Sequence, residues 1–198
     1  MNISKVGSCY GCGVCTLACG KKIIKMRRDK TGFYVPYIED ASKCTDCGLC
    51  TDVCVYLHRD KAVENSPLKS FAAWSKEKAV RHICSSGGVG FEIGRSMQEK
   101  GFHILGVRYN VKKQRAEHSV ATTAEDLLAS MGSKYIQSYT YDAFQTLDRK
   151  RKYLITGTPC QIDSFKRYVR KFRCEDNFVL LDFFCHGVPS SLVWKKYI

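Results

Sequence analysis

The sequence predicts two parts of different fold class: a small α+β module over residues 1–65, and an α/β domain over residues 66–198 with a mostly parallel or mixed sheet. Two observations support this division. Eight of the 12 cysteines lie before residue 55, in two runs of equal spacing. After Asn65-Ser66-Pro67, which has the composition of a linker, short apolar runs alternate with helical patterns.

The composition indicates a cytoplasmic protein. No stretch reaches about 18 consecutive apolar residues, so we expect no transmembrane segment. The first residues, MNISKVGSCYGC, lack the apolar core of a signal peptide. In a reducing cytoplasm, paired CxxC patterns favour metal binding over disulfides.

The positive charge is concentrated in the second part of the chain. Residues 1–65 hold 10 Lys/Arg against 7 Asp/Glu, and residues 66–198 hold 22 against 12, so +10 of the net +13 lies there. Two runs, RKRK (Arg149–Lys152) and KRYVRKFR (Lys166–Arg173), supply much of it. Such a field suits anionic partners, although each run alone is typical of a solvated helix face. Nucleic acid is not expected as a partner, because no RNA-recognition or zinc-finger signature accompanies the basic runs.

Both cysteine runs read C-x2-C-x2-C-x3-C, the spacing of bacterial-type [4Fe-4S] ligation, in which the fourth cysteine of each run serves the other cluster. Glycines between the thiols allow the tight turns that this wrapping needs. The rule assigns Cys9, Cys12, Cys15 and Cys54 to one cluster, and Cys44, Cys47, Cys50 and Cys19 to the other.

Two zinc sites are the competing interpretation of these cysteines. Structural zinc usually takes its cysteines as separated pairs, whereas three thiols at even gaps suit a cube better. The sequence departs from the ferredoxin run at one point, because Gly20 and Val55 stand where a proline usually follows the last cysteine. This departure weakens the case for a free-standing ferredoxin but leaves ligation unaffected. Between the runs, residues 23–40 predict a β-hairpin, which completes a ferredoxin-like dicluster module.

Four apolar runs in the second part predict buried strands: FAAW (Phe71–Trp74), HILGVRY (His103–Tyr109), YLITG (Tyr153–Gly157) and FVLLDFFC (Phe178–Cys185). Four helices are expected between and after them. One covers about 88–100, TAEDLLASMG begins at the N-cap Thr123 and ends at Gly132, QIDSFKRYVRKF follows the third strand, and SSLVWKKYI follows Pro189.

Loops at strand ends and helix starts carry the candidate binding residues. SSGG opens a helix, where amides and the helix dipole favour an anion. GSKY combines a flexible backbone with a hydroxyl, a cation and a ring. GTPCQ and CHGVPS (Cys185–Ser190) follow strands at the edge where open α/β sheets bind ligands. A Rossmann fingerprint is absent, because Gly88-Val89-Gly90 lacks a third glycine in place and a preceding strand.

The order of the cysteine runs, FAAW, SSGG, GSKY, GTPCQ and CHGVPS resembles the beta subunits of coenzyme F420 hydrogenases and dehydrogenases over essentially the whole chain. The resemblance implies a non-Rossmann flavoprotein oxidoreductase. In it, FAD and two [4Fe-4S] clusters would exchange electrons with coenzyme F420 or another small-molecule reductant, and with a partner such as ferredoxin or a redox-complex subunit.

The same resemblance implies a set of cofactor-binding residues. Its phosphate cradle would be Ser85, Ser86, Gly87 and Gly88; its flavin pocket would be Gly132, Ser133, Lys134 and Tyr135; and the loop facing the flavin or the nearest cluster would be Gly157, Thr158, Pro159, Cys160 and Gln161.

Two side chains are candidates for a catalytic role. Lys134 could neutralise a phosphate or stabilise a reduced, anionic flavin. His186 is the best candidate for proton transfer, because its pKa range suits that role, although a structural role at the strand end is the alternative.

The remaining cysteines have weaker roles in this interpretation. Cys160 and Cys185 are either small buried side chains or extra ligands near a cluster. Cys84 and Cys174 are expected to be packing residues.

Members of the family are about twice as long, so we expect a fragment that lacks the C-terminal half of the flavin-binding domain, with an incomplete flavin site. A non-enzymatic electron-transfer subunit of a larger redox complex is the alternative function. A nucleic-acid-binding iron–sulfur protein ranks third.

Overall fold

A two-stranded hairpin and a four-stranded mixed sheet organise the chain, of which the computed structural model describes residues 2–61 and 69–198. The expected linker Asn65-Ser66-Pro67, and with it the expected domain boundary, lies outside the described residues. Among the described helices, none combines the length and the apolar composition needed to cross a bilayer.

The first part contains the expected hairpin, in which β1 and β2 pair antiparallel from Ile24 opposite Ile38 to Arg28 opposite Tyr34. Short helices surround it, and two of them contain Cys15 and Cys50. The elements are α1 (Val14–Ala18), β1 (Ile24–Arg28), β2 (Tyr34–Ile38) and α2 (Leu49–Asp52), with 3-10 segments at Ile3–Lys5, Ala41–Lys43 and Val55–Lys61.

The second part is built on four strands in the order β4-β3-β5-β6. Strands β3, β5 and β6 run parallel, and β4 is an antiparallel edge strand hydrogen-bonded to β3. The elements are α3 (Lys78–Ile83), α4 (Val89–Glu99), β3 (His103–Asn110), β4 (Arg115–Ala121), α5 (Ala124–Leu128), α6 (Tyr141–Phe144), β5 (Tyr153–Gly157), α7 (Pro159–Phe172), β6 (Phe178–Asp182) and α8 (Ser191–Tyr197), with a 3-10 segment at Glu175–Asn177.

Most of the expected elements are confirmed. Strands β3 and β5 occupy the predicted runs, and α4, α7 and α8 lie where the helical patterns indicate. Helix α5 begins with the predicted capping box, in which Thr123 Oγ1 accepts the amide of Asp126 at 3.2 Å. It ends at Leu128, so Gly132 lies beyond the helix and not at its stop.

Two strand predictions are corrected. FAAW is not a strand: Phe71 is 82% and Trp74 65% exposed, and the segment packs its backbone against the SSGG loop, where the Ser75 amide donates to Gly87 O at 2.7 Å. Strand β6 stops at Asp182, and Phe184 beyond it is 97% exposed. Both runs are apolar in sequence, but no neighbouring strand among the described residues pairs with them. An apolar run without a pairing strand does not become part of a sheet.

Strand β4 escaped prediction because two of its four buried positions are polar. Glu117 and His118 are both buried within RAEHSVA. The Glu117 carboxylate accepts hydrogen bonds from Arg108, Asn110 and Arg115 at 2.9–3.3 Å, which compensates its burial.

One hydrophobic core joins the two parts. Val14, Ala18 and Val53 from the cysteine-rich part pack in the same cluster as Phe165 and Val169 of α7. Because α7 also packs on β5 and β6, it connects the cysteine-bearing helices to the sheet.

Candidate functional site

The two cysteine runs form the same local structure twice. In CGVCT and CGLCT, the glycine adopts a left-handed conformation and the third cysteine of the run lies in the short helix that follows. The φ angles are +80° at Gly13 and +78° at Gly48. The hydroxyls of Thr16 and Thr51 donate to the carbonyls of these glycines at 2.8 and 2.7 Å and close each turn.

Glycine is required in the first run for reasons of space as well as backbone angle. A Cβ at Gly13 would overlap Thr140 Oγ1, and a Cβ at Gly11 would overlap the Gln137 side chain and Tyr34 O. Both glycines have positive φ. The loop therefore approaches the second part of the chain more closely than any other residue would allow.

The thiols of the first run lie in a buried, mutually interacting group. Burial raises the pKa of Cys9, and the neighbouring Cys54 and Cys160 raise it further. Burial also raises the pKa of Cys12 to about 12 and that of Cys15 well above its ordinary value. Cys54 of the second run therefore lies beside the first run.

Sulfur atoms of this group have hydrogen-bonding neighbours. The Gly11 amide donates to Cys9 Sγ at 3.2 Å. The Cys12 thiol contacts Ser164 Oγ at 3.5 Å, and once this sulfur is a thiolate the hydroxyl becomes the donor. Ser164 is fully buried on α7.

The second group contains Cys44, Cys47, Cys50 and Cys19. Burial raises the pKa of Cys50, and Cys19 and Cys47 raise it further, so the last cysteine of the first run lies beside the second. The Asn2 amide group donates to Cys44 Sγ at 3.5 Å. Cys47 is exposed, so this group has one side open to solvent.

The residues present fit two iron–sulfur clusters. Buried thiols with raised pKa values carry a desolvation cost as thiolates, and cationic iron offsets that cost when it binds. No three His, Cys, Asp or Glu side chains of residues 2–61 and 69–198 converge on a single-ion site. A [4Fe-4S] cluster differs from a single-ion site because each of its irons binds its own cysteine thiolate. The ligands of a cluster therefore surround it and do not converge on one point. The eight ligands stay a prediction that metal analysis tests.

The SSGG and GSKY loops, 48 residues apart in sequence, are in contact. The Ser133 amide donates to Ser85 Oγ at 2.7 Å. Helix α4 begins immediately after SSGG with Gly88 as its N-cap and no side chain capping it. The amides of its first turn are thus available to an anion, and the fit to a phosphate group of FAD is good.

The glycines of SSGG are also needed for packing. A Cβ at Gly88, where φ is +80°, would press on Val80, and one at Gly87 would press on Ala73 O and Trp74. Gly132 also has positive φ, +78°, and a Cβ there would make only an ordinary contact with Ser85 Oγ at 3.9 Å. The packing at Gly87 and Gly88 therefore accounts for these two glycines without a ligand, whereas Gly132 only provides a turn.

Lys134 is turned towards its own loop. Its ammonium donates to the carbonyls of Ser130 and Met131 at 2.7 and 2.8 Å. Burial lowers its pKa. Tyr135, in contrast, is 76% exposed.

The GTPCQ loop connects β5 to α7 and lies against the first cysteine group. Thr158 caps α7, and its amide donates to Gln161 Oε1 at 3.0 Å. Cys160 contacts Thr158 Oγ1 at 3.2 Å and is close enough to Cys9 to raise the pKa of that thiol. Its own pKa is raised by burial first, and Cys185 contributes.

The other singled-out residues have varied surroundings. Cys185 is exposed, which corrects the expectation of a small buried side chain, and its sulfur accepts the Gly187 amide at 3.4 Å. His186 is exposed in the same loop. Cys174 is buried as expected, and Cys84 is half-buried.

Sequence reasoning missed three polar residues around the first cysteine group: Ser164, Thr140 and Gln137. Each lies more than 80 positions from the loop that it contacts. The sequence contains no local signal for them, because only the packing of α7 and of the segment before α6 places them there.

Comparisons with known proteins agree with these features. Residues 8–58 match the family model of a 4Fe-4S dicluster domain. Residues 70–144 match that of the coenzyme F420 hydrogenase/dehydrogenase beta subunit, N-terminal domain. A comparison with curated proteins gives no match.

Among solved structures, a chain of the xenon-derivatised F420-reducing [NiFe] hydrogenase complex from Methanosarcina barkeri is similar in fold. The TM-score is 0.53 at 19% identity, and the alignment covers 62% of this chain and 46% of that chain. The chain thus spans less than half the length of this structural neighbour.

The order of the matched domains is the order of the motifs: cysteine runs first, then SSGG and GSKY. The chain therefore carries a segment similar to a 4Fe-4S dicluster domain, followed by a segment similar to the N-terminal domain of coenzyme F420 hydrogenase/dehydrogenase beta subunits.

Proposed function

We propose that the chain is the electron-transferring part of a cytoplasmic iron–sulfur flavoprotein oxidoreductase. Two [4Fe-4S] clusters and FAD would pass electrons between a reductant such as coenzyme F420 and a redox partner protein. FAD, when bound, supplies the exchange between two-electron and one-electron chemistry. The predicted eight cysteines would hold the clusters.

The observation that carries this proposal is the position of Cys160. This residue belongs to the loop expected to face the flavin or the nearest cluster, and its thiol interacts with Cys9 and Cys12 of the first cysteine group. A short path between flavin and cluster requires this juxtaposition. The excess of +10 in residues 66–198 suits a phosphate-bearing cofactor and an acidic reductant.

The residues of the two joined loops would bind the phosphates of FAD. Ser85 and Ser86 are exposed beside the uncapped start of α4. The nearest carboxylate on this helix, Glu92, is held by Ser75 and by Arg95, and its pKa is lowered by these contacts. Its negative charge is thereby partly compensated beside the anion position.

Lys134 favours the second candidate, an electron-transfer subunit without flavin chemistry of its own. Its ammonium is occupied by two backbone carbonyls. A lysine that caps its own loop in this way need not contact a cofactor.

Metal analysis tests the cluster assignment. After anaerobic purification or reconstitution with iron and sulfide, we expect a brown chain with about eight irons, as two four-iron clusters require. Stoichiometric zinc without a visible charge-transfer band would refute the clusters.

FAD titration then separates the two candidates. Quenching of flavin fluorescence by the reconstituted chain supports the flavoprotein. Ser85→Trp fills the space between the joined loops and is expected to weaken FAD binding about tenfold or more, a loss of about 1.4 kcal/mol. Lys112→Trp, in the exposed turn between β3 and β4, is the matched control. A loaded chain that binds no FAD favours the electron-transfer subunit.

A further inference from the structure

The outer face of α7 is strongly cationic, and the proposed function does not use it. Four cations line a groove of about 520 Å³ along this helix: Lys166, Arg167, Arg170 and Lys171. We call this feature the basic groove.

The basic groove lies beside the cysteine groups. Its opposite wall contains Asp52 and His58, and Asp52 stands two residues before Cys54. Ser164, on the buried side of the same helix, contacts the Cys12 sulfur at 3.5 Å. Helix α7 therefore separates the first cysteine group from the basic groove by its own thickness alone.

The described carboxylates neutralise only part of the positive charge in the basic groove. The two described carboxylates that line it, Asp52 and Asp163, leave a net +2 against the four cations. Lys171 Nζ pairs with Asp52 at 2.6 Å. Within the described part of the chain, Lys166 and Arg170 make no ion pair, so their charges face solvent.

Arg167 carries an unused donor. Its Nη2 donates to the His58 carbonyl at 3.3 Å, whereas its Nε is buried and has no hydrogen-bond partner among the described residues. A guanidinium binds a carboxylate best through two parallel N–H groups. Because this Nε is buried, it is not accessible to an acceptor from another molecule, and Lys166 and Arg170 supply the accessible charge of the groove.

The cations are spread along the helix. Residues 166–171 span about 7.5 Å of helix rise, and Lys171 is engaged by Asp52. Such an arrangement does not converge on one oxyanion. It matches a surface that carries several carboxylates, because complementary patches of opposite charge steer protein encounters.

We propose that the basic groove docks an acidic one-electron carrier protein next to the first cysteine group. This inference rests on the proposed function. In the exchange, the reduced carrier loses one electron and the cluster side gains it, and no bond forms or breaks. Docking on α7 brings the carrier to within the thickness of one helix of Cys12.

The experiment measures binding of an acidic plant-type ferredoxin to the full, reconstituted chain at low and at high salt. Lys166→Glu with Arg170→Glu is expected to weaken binding about tenfold at low salt and to flatten the salt dependence. The neutral variant Lys166→Ala with Arg170→Ala is expected to give a smaller loss. Circular dichroism checks that each variant is folded.

Lys112→Glu with Lys113→Glu is the matched control. Both lysines are exposed in the turn between β3 and β4, and the change in net charge is the same. A change of less than about twofold is expected, because the altered charges lie outside the groove. If the groove variant and the turn variant weaken ferredoxin binding equally, the proposal is overturned. Such a result would show that binding depends on the net charge of the chain and not on the basic groove.

Two further results would also overturn it: competition by millimolar inorganic phosphate that the groove variants abolish, or groove-dependent binding of an oligonucleotide in preference to the ferredoxin. Iron content and visible spectra of the same samples separate this inference from the proposed function. Clusters without groove-dependent binding refute the docking site alone. Groove-dependent binding without clusters refutes the proposed function and leaves the docking site supported.

Discussion

At the residue scale, single polar side chains set the environment of the first cysteine group. Ser164 reaches Cys12, and the hydroxyl of Thr140, buried and without a hydrogen-bond partner in the described structure, lies against Gly13. Hydrogen bonds to the sulfurs are one of the factors that set cluster reduction potentials. These hydroxyls are therefore the first residues to vary.

Ser164→Ala tests this effect. Losing a hydrogen bond worth about 1 kcal/mol removes stabilisation from the more negative, reduced state, so the potential of the first cluster is expected to fall by up to about 40 mV. An EPR-monitored redox titration measures it. Ser130→Ala, whose hydroxyl donates to Leu127 O, is the control. An unchanged or higher potential would contradict the role assigned to Ser164.

His118 determines a pH dependence of stability. Burial lowers its pKa from 6.5 to about 4, so the folded state holds this ring neutral. Between these values the unfolded chain binds a proton that the folded chain does not. Stability is therefore complete above pH 6.5 and declines as the pH falls, by about 2 kcal/mol at about pH 5.

His118→Phe is expected to flatten this decline, because the ring that packs on Phe144 then carries no titrating group. Urea unfolding at neutral pH and near pH 5 gives the comparison. His82→Phe, on the exposed side of α3, is expected to keep the wild-type slope. Parallel slopes for wild type and His118→Phe would refute the assignment.

At the element scale, the repeated turn of CGVCT and CGLCT positions the thiols. In each copy a left-handed glycine precedes a helix of four or five residues, too short to be stable alone. The two helices contact each other, and α1 also packs on α6 and α7. Packing against other elements thus stabilises these two short helices, which the local sequence alone would not keep folded.

Gly13→Ala is expected to disrupt this turn. The left-handed backbone alone costs about 1–2 kcal/mol with a Cβ, and the overlap with Thr140 adds to it. Iron content per chain and urea unfolding are both expected to fall. Gly20→Ala is the control, because no atom lies within 4 Å of its Cβ and its φ is not positive. Equal iron content in both variants would disprove the spatial argument.

At the scale of the whole molecule, the cysteine-rich part is clamped to the sheet domain. Gln137 Oε1 accepts the Tyr34 amide at 2.6 Å, and its Nε2 donates to Tyr34 O at 3.0 Å. The side chain thereby makes the two backbone hydrogen bonds that a neighbouring strand would make with the edge of β2. Together with the shared core around α7, this contact orients the cysteine groups relative to GTPCQ.

Gln137→Leu leaves both backbone groups of Tyr34 without their partner, at a cost of about 1–3 kcal/mol. Hydrogen exchange of the Tyr34 amide is expected to accelerate. Gln98→Leu loses a bond to Thr123 O inside the sheet domain and is expected to leave Tyr34 unchanged. If the Tyr34 amide of Gln137→Leu remains protected from exchange, the shared core alone holds the cysteine-rich part against the sheet domain.

The sequence predicted those elements that local patterns define. Strands β3 and β5, helices α4, α7 and α8 and the hairpin follow apolar periodicity, caps and turn residues. FAAW and Phe183–Cys185 were predicted wrongly because apolar composition does not reveal whether a strand partner exists. β4 was missed because Glu117, a residue type that is usually exposed, is buried and compensated by ion pairs with Arg108 and Arg115.

The cysteine spacing and the glycine turns that predict cluster ligation can be read from the sequence, because both are local properties of a short run of residues. The fold alone shows that Ser133 meets Ser85, that Cys160 lies beside Cys9, and that α7 presents a basic groove near the cysteine groups. The physical reason is that these contacts join segments far apart in the chain. Their energies depend on packing and burial, which no local pattern encodes.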